Sequence, residues 1–219
     1  MRPAGPEGHG TQAGDAVFRV AAADLYAGRE AQRPVRPQVT FEDVAAPRTL
    51  APYAAAIAAT IAAPDDDAEI GSGKLVLLYD PAGQPGWAGP FRVIAYIRAE
   101  VEPELAADSL LGTVSWTWLT EALDAGAAGY AAPSGTVTRV ITEGFGGKQD
   151  EPAATELEIR ASWSPVGPPG GPEPPALAGH VTAWCDALCT AAGLPPVPAG
   201  VRVMPQRSMS PTSRGRRRP

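Results

Sequence analysis

Residues 135–165, GTVTRVITEGFGGKQDEPAATELEIRASWSP, decide how this chain folds. In the run Leu157, Glu158, Ile159, Arg160, Ala161, Ser162, Trp163 every second residue is apolar. That period of two belongs to a strand with one dry and one wet face. Gly144, Gly146 and Gly147 supply a turn, so the stretch reads as two strands of an antiparallel sheet. Arg139, Glu143, Glu158 and Arg160 are then expected together on the exposed face, with opposite charges across from one another.

Upstream, residues 15–31 read as a helix, with Val17, Ala21 and Leu25 four apart and Asp15 as N-cap. The prolines of residues 33–47 exclude a helix and leave an extended connector, with room for a short edge strand at 39–44. Alanine in residues 53–63 favours helix, yet Tyr53, Ala55, Ile57, Ala59 and Ile61 alternate with small residues. With KLVLLY at 74–79 and three aspartates at 65–67 between them, the two runs predict a hairpin. A third strand follows at 91–101, a helical turn at 102–108 and a helix at 113–125, with Trp116, Trp118, Leu119, Ala122 and Leu123 expected along its buried face. The last helix covers 176–192, closed by Gly193 and Pro195.

The order α-β-β-β-α-β-β-α lacks a regular strand–helix–strand repeat. It predicts an α+β fold: one mostly antiparallel sheet of about five strands, with helices packed on one face. Residues 15–193 are read as a single domain containing a Pro/Gly linker at 166–175. Residues 1–14 and 194–219 hold few large apolar side chains and are expected to be disordered tails.

The formal charge is −6, unevenly spread. Residues 15–196 carry 11 basic and 23 acidic side chains, a net of −12, whereas residues 197–219 carry six arginines and no acid. An acidic body argues against nucleic acid or membrane as the main partner, leaving only weak nucleic-acid contact through the Arg-rich end. Two cysteines, Cys185 and Cys189, fit a reducing cytosol, and no signal peptide or spanning run is read, so the expected location is cytoplasmic.

No chemistry is selected by the motifs. His180 with Cys185 and Cys189 lacks a fourth ligand, so no metal is expected, and no cofactor either. Gly71-Ser72-Gly73-Lys74 and the glycines at 144–147 are read as turns, because neither follows a strand and opens a helix. One body histidine does not make a nucleophilic triad. Trp87 lies in a Gly/Pro-rich loop and is expected to fold back onto the sheet, or else to await a partner.

Six segments carry a family resemblance: LVLLYDPAGQ at 75–84, WAGPFRVIAYIRA at 87–99, VSWTWLTEAL at 114–123, SGTVTRVITEGFG at 134–146, ELEIRASWSP at 156–165 and WCDALCTAAGLPP at 184–196. In these the chain resembles the actinobacterial family that carries the domain of unknown function numbered three thousand. The resemblance implies a small cytosolic protein of a high-GC bacterium, and neither activity nor ligand. The functional reading is a non-enzymatic protein-binding or adaptor module. Trp87, Arg139, Glu143, Glu158 and Arg160 form its candidate surface. A small carboxylate-based hydrolase is the alternative.

Overall fold

A computed structural model describes residues 12–63, 68–126, 129–150, 153–167 and 173–196. Its elements are α1 (Gln12–Gln32), β1 (Val39–Asp43), β2 (Tyr53–Ala62), β3 (Glu69–Tyr79), β4 (Phe91–Glu100), α2 (Pro103–Ala107), α3 (Leu111–Ala125), β5 (Tyr130–Thr142), β6 (Ala154–Pro165) and α4 (Ala178–Ala191). A 3₁₀ turn at Gly146–Lys148 lies between β5 and β6. The fold is α+β, with one antiparallel sheet of six strands in the order β1-β2-β3-β4-β6-β5. After β4 the chain passes through α2 and α3, lays β5 at the far edge and returns β6 into the gap. The strand beyond the expected five is β1, where Val39 and Phe41 point inward and only five residues carry the alternation.

Registers put Ile57, Leu75, Ala95 and Ala161 in one row and Ala59, Gly73, Ile97 and Ile159 in the next, all facing the helices. The alanines of β2 therefore serve close packing of a sheet, which overrides their helix propensity. Gly71 and Gly73 lie inside β3, not in the turn expected for them. A Cβ on Gly73 would sit 2.9 Å from Cζ2 of Trp184, and one on Gly71 3.1 Å from the Ala192 Cβ. Bare backbone at these two positions is what lets α4 lie down on the sheet. Trp184 fills the space and donates Nε1–H to the Tyr96 carbonyl at 3.3 Å.

The first and last helices are joined by polar contacts as well as by packing. The Asp24 carboxylate on α1 accepts from the amides of Leu177 and Ala178, two donors the first turn of α4 cannot satisfy itself. Gln32 donates to the Thr182 hydroxyl at 2.8 Å, and buried Arg36 reaches Asp186 at 3.0 Å. Gly28 allows the crossing, since a Cβ there would lie 2.8 Å from the Ala178 Cα.

Both expected tail boundaries move. Gln12–Gly14 form the first turn of α1, with Gly14 buried. Gly193 takes a φ of +74°, and the chain then turns so that Leu194 is buried and the Pro195 carbonyl accepts from Arg36. This is a helix stop with its hydrophobic contact. The remaining tail residues, the aspartates at 65–67 and the middle of the 166–175 stretch lie outside the described residues.

Candidate functional site

The helix-free face of the sheet splits into a covered half and an open half. Over the covered half, the loop that joins β3 to β4 folds back, as expected for Trp87. Its indole is half-buried and packs, with Val44, Ala46 and Ala51, on Ala56, Val76 and Leu78. The loop is anchored at both ends: Ala88 N–H donates to the Ser164 hydroxyl at 2.9 Å, and Gln84 Nε2 reaches the Leu50 carbonyl at 3.0 Å. Gly83 and Gly86 take φ of +70° and +83°, values that suit glycine, so the tight path under Trp87 depends on them.

Beneath that loop lies Arg92, the second residue of β4. Only 7 % of it is exposed, and its guanidinium meets neutral acceptors throughout. Nη1 donates to the Ala132 carbonyl at 2.9 Å, and Nη2 to the Ser162 hydroxyl at 2.7 Å and the Ser134 hydroxyl at 3.2 Å. Burial holds its pKa below the usual arginine value. Ala132, the acceptor, has a φ of 50° at the bulge between Ala131 and Ser134, a conformation alanine adopts at a cost of about 1 kcal/mol or more. Arg92 thus pins the irregular start of β5 against β6.

The open half carries charge. Arg98 forms a two-pronged pair with Glu156, which holds the Glu156 carboxyl below its ordinary range. Tyr96 donates to Glu158 at 3.1 Å, and Arg160 reaches the other oxygen of Glu158 at 2.8 Å. Burial, then the bond to Glu158 and its charge, raise the Tyr96 pKa against the pull of Arg160 and Arg98.

The expected charge cluster is only half assembled. Glu158 and Arg160 share the open face, but they pair along one strand, two residues apart. Arg139 opposes Leu157, not Glu158, and so projects to the helix side. There its Nη1 donates to the carbonyls of Ala106 and Asp108, tying β5 to the C-terminal end of α2. Glu143 stands exposed just past the end of β5. The cause is register: Thr138 is the residue opposite Glu158, and one residue of offset exchanges faces. With its side chain 65 % exposed, Arg160→Ala is expected to change stability by no more than ~1 kcal/mol in urea denaturation. A larger loss would mean that the row acts as one network.

A second surface runs along β5. Its outer edge has no strand beside it among the described residues, and from Ser134 to Thr142 the pairing to β6 is regular. Arg139 is its only charged residue. Ile141 and Phe145 are 59 % and 79 % exposed, and Leu110 and Val114 of the adjacent α3 region are exposed too. On the helix side a cavity of about 480 Å³ opens against the edge, lined by Thr113, Trp116, Gly135, Val137 and Arg139. Gly135 makes room for the indole, because a Cβ there would fall 2.6 Å from Cζ3 of Trp116.

Cys185, Cys189 and His180 are all buried in α4. His180 accepts a hydrogen bond at Nδ1 from Trp163 Nε1–H at 3.1 Å. Among the described residues no three His, Cys, Asp or Glu side chains converge on a metal-sized site, and no helix is long and apolar enough to cross a membrane.

Arg92 and the serines around it were not selected from the sequence. The available signal was an arginine at the apolar start of a strand, with serines at 134, 162 and 164 on what become the neighbouring strands. Only the register shows that they meet. No curated protein and no solved structure matches the chain. A family described as "Protein of unknown function (DUF3000)" matches residues 15–202, and the chain belongs to that family.

Proposed function

We propose that this protein is a binding module, not a catalyst, and that it takes an extended segment of a partner protein alongside β5. The observation that supports this reading is the edge itself: nine regularly paired residues with one charge, exposed apolar side chains and a cavity at their flank. Sheet edges left in water are ordinarily blunted by lysines, bulges or covering loops. Here the bulge and Pro133 protect one end and the rest stays presentable. An added strand would satisfy backbone groups along the edge, drop an apolar side chain beside Trp116 and Val137, and meet Arg139 with a carboxylate.

The carboxylate-hydrolase alternative finds less support. Glu156 is held down by Arg98, the wrong direction for a proton donor at neutral pH. Sparse cysteine and the Ala, Gly and Pro bias support the finer reading of a cytosolic protein from an actinobacterium.

The test is a random-peptide display selection on the full chain and on Thr138→Lys/Val140→Lys. Lysines at these exposed edge positions should block strand addition and spare the core. Peptides with alternating apolar residues should bind the native chain at least ten-fold better and slow deuterium exchange in β5. Equal binding to both proteins, or protection elsewhere, would overturn the proposal. Sedimentation of the free chain adds a further arm, in which a dimer lost in the double variant would place a second copy on the edge.

A further inference from the structure

The Arg92 guanidinium is held by neutral acceptors alone, among them the Ala132 carbonyl at 2.9 Å and the Ser162 carbonyl at 3.2 Å. Arg92 gives hydrogen bonds to the hydroxyls of Ser134 and Ser162 and a longer one, at 3.4 Å, to Ser164. Each of those hydroxyls has already accepted a bond and still holds a proton to donate. The two nearest to each other, Ser134 and Ser162, are 3.4 Å apart, so one can serve the other and no more. One hydroxyl proton of that pair therefore remains at the sheet face, beside a buried positive charge that faces no carboxylate among its described partners. An arrangement of this kind attracts an anion, since a buried charge gains most from an opposite charge that brings hydrogen-bond acceptors.

The surroundings define the rest of such a ligand. A cavity of about 360 Å³ opens onto the cluster between the β3–β4 loop and the sheet. Its polar end is Arg92, Ser134 and Ser162, and its apolar walls include Trp87, Leu78 and Ile94. Among the described residues lining it none is acidic, and Arg92 is the only cation. One guanidinium matches a monoanion; a phosphate dianion would keep a charge unpaired in a place where such charge is costly. Aromatic and branched walls suit a ring or short aliphatic body.

We infer that this cavity is a binding site for a small monocarboxylate with an apolar body. The carboxylate lies against the Ser134 and Ser162 hydroxyls over Arg92, and its body lies under the Trp87 indole. The site lies on the helix-free face, at the covered half, and so is separate from the outer edge of β5. It is nonetheless coupled to the start of that strand, because Arg92 holds the Ala132 carbonyl.

The experiment uses the full ¹⁵N-labelled chain titrated with 3-phenylpropionate, followed by NMR at the Trp87 indole N–H and the Ser162 amide. The comparison probes are 3-phenylpropionamide, its uncharged isostere, together with acetate, phenyl phosphate and inorganic phosphate. Saturable shifts are expected for 3-phenylpropionate, with a Kd on the order of a millimolar or tighter. The amide and acetate should bind at least ten-fold more weakly, and phenyl phosphate no better than the carboxylate. Arg92→Met should weaken the carboxylate at least ten-fold. Because that change also loosens the start of β5, Ile94→Phe is the decisive companion: it fills the cavity, leaves every Arg92 hydrogen bond in place and should weaken binding equally. Equal affinity for acid and amide, tighter binding of either phosphate, or undiminished binding to Ile94→Phe would overturn the inference. Absence of any saturable shift would return Arg92 to a purely structural staple.

Discussion

Trp184→Ala is expected to cost about 3–5 kcal/mol of stability, the range for deleting a buried tryptophan. Little of that should be recovered by collapse. The indole rests on Gly73, which has no side chain to move into the void, and its other neighbours are held by the strand registers. Phe41 stands 6.5 Å from it, ring to ring, on the short edge strand β1. The same change also removes the indole N–H bond to the Tyr96 carbonyl, although that carbonyl keeps its place in the β4 ladder. A domain of this kind has roughly 5–15 kcal/mol in hand, so urea or thermal unfolding should show a transition at the margin of survival. A loss below about 1 kcal/mol would mean that α4 settles onto the bare glycines instead of leaving a cavity.

The second large effect is a pH window. Burial lowers the His180 pKa to about 4, with the Asp24 charge pulling weakly the other way. In the unfolded chain the group titrates near 6.5. The folded protein thus prefers neutral His180, whose Nδ1 must stay unprotonated to accept from Trp163. Its contribution is complete above pH 6.5 and falls as pH drops from 6.5 to about 4, by roughly 3 kcal/mol in all. Below that the slope from this group ends. Glu156, held down by Arg98, contributes in a lower window, below its unfolded value of 4.5, which separates the two effects. His180→Gln keeps an acceptor for Trp163 and should flatten stability between pH 6.5 and 4.5. A variant that retains the slope would assign it elsewhere.

Much of the layout is written in periodicity. The alternation in residues 157–163 and 91–101 places β6 and β4 and tells which side of each is dry. The spacing of Leu177, Val181, Trp184 and Leu188 likewise marks the buried side of α4. What is not legible from one strand at a time is the offset between strands. Arg139 and Glu158 both alternate with apolar neighbours, yet a single residue of register sends them to opposite faces. The same ignorance of register hides Arg92, whose meaning depends on three serines 42 to 72 positions away. Glycine at 71 and 73 misleads for a related reason: in isolation it signals a turn, and only the overlying indole explains it within a strand.

The ties between α1 and α4 set the timetable of synthesis. Asp24 finds the Leu177 amide 153 residues later, and Gln32 and Arg36 wait 150 residues for Thr182 and Asp186. A nascent chain that has emerged only through β6 has all six strands but lacks the helix that seals them. Leu75, Leu77, Ile97 and Leu157 would then face water, in a sheet assembled largely from long-range pairings that close slowly. Productive folding therefore waits until α4 has been made, and the unsealed sheet is the stage at which aggregation competes or a general chaperone engages the chain. A premature stop anywhere before α4 removes the seal along with the residues, so the codons of that one helix determine the fate of all those before them.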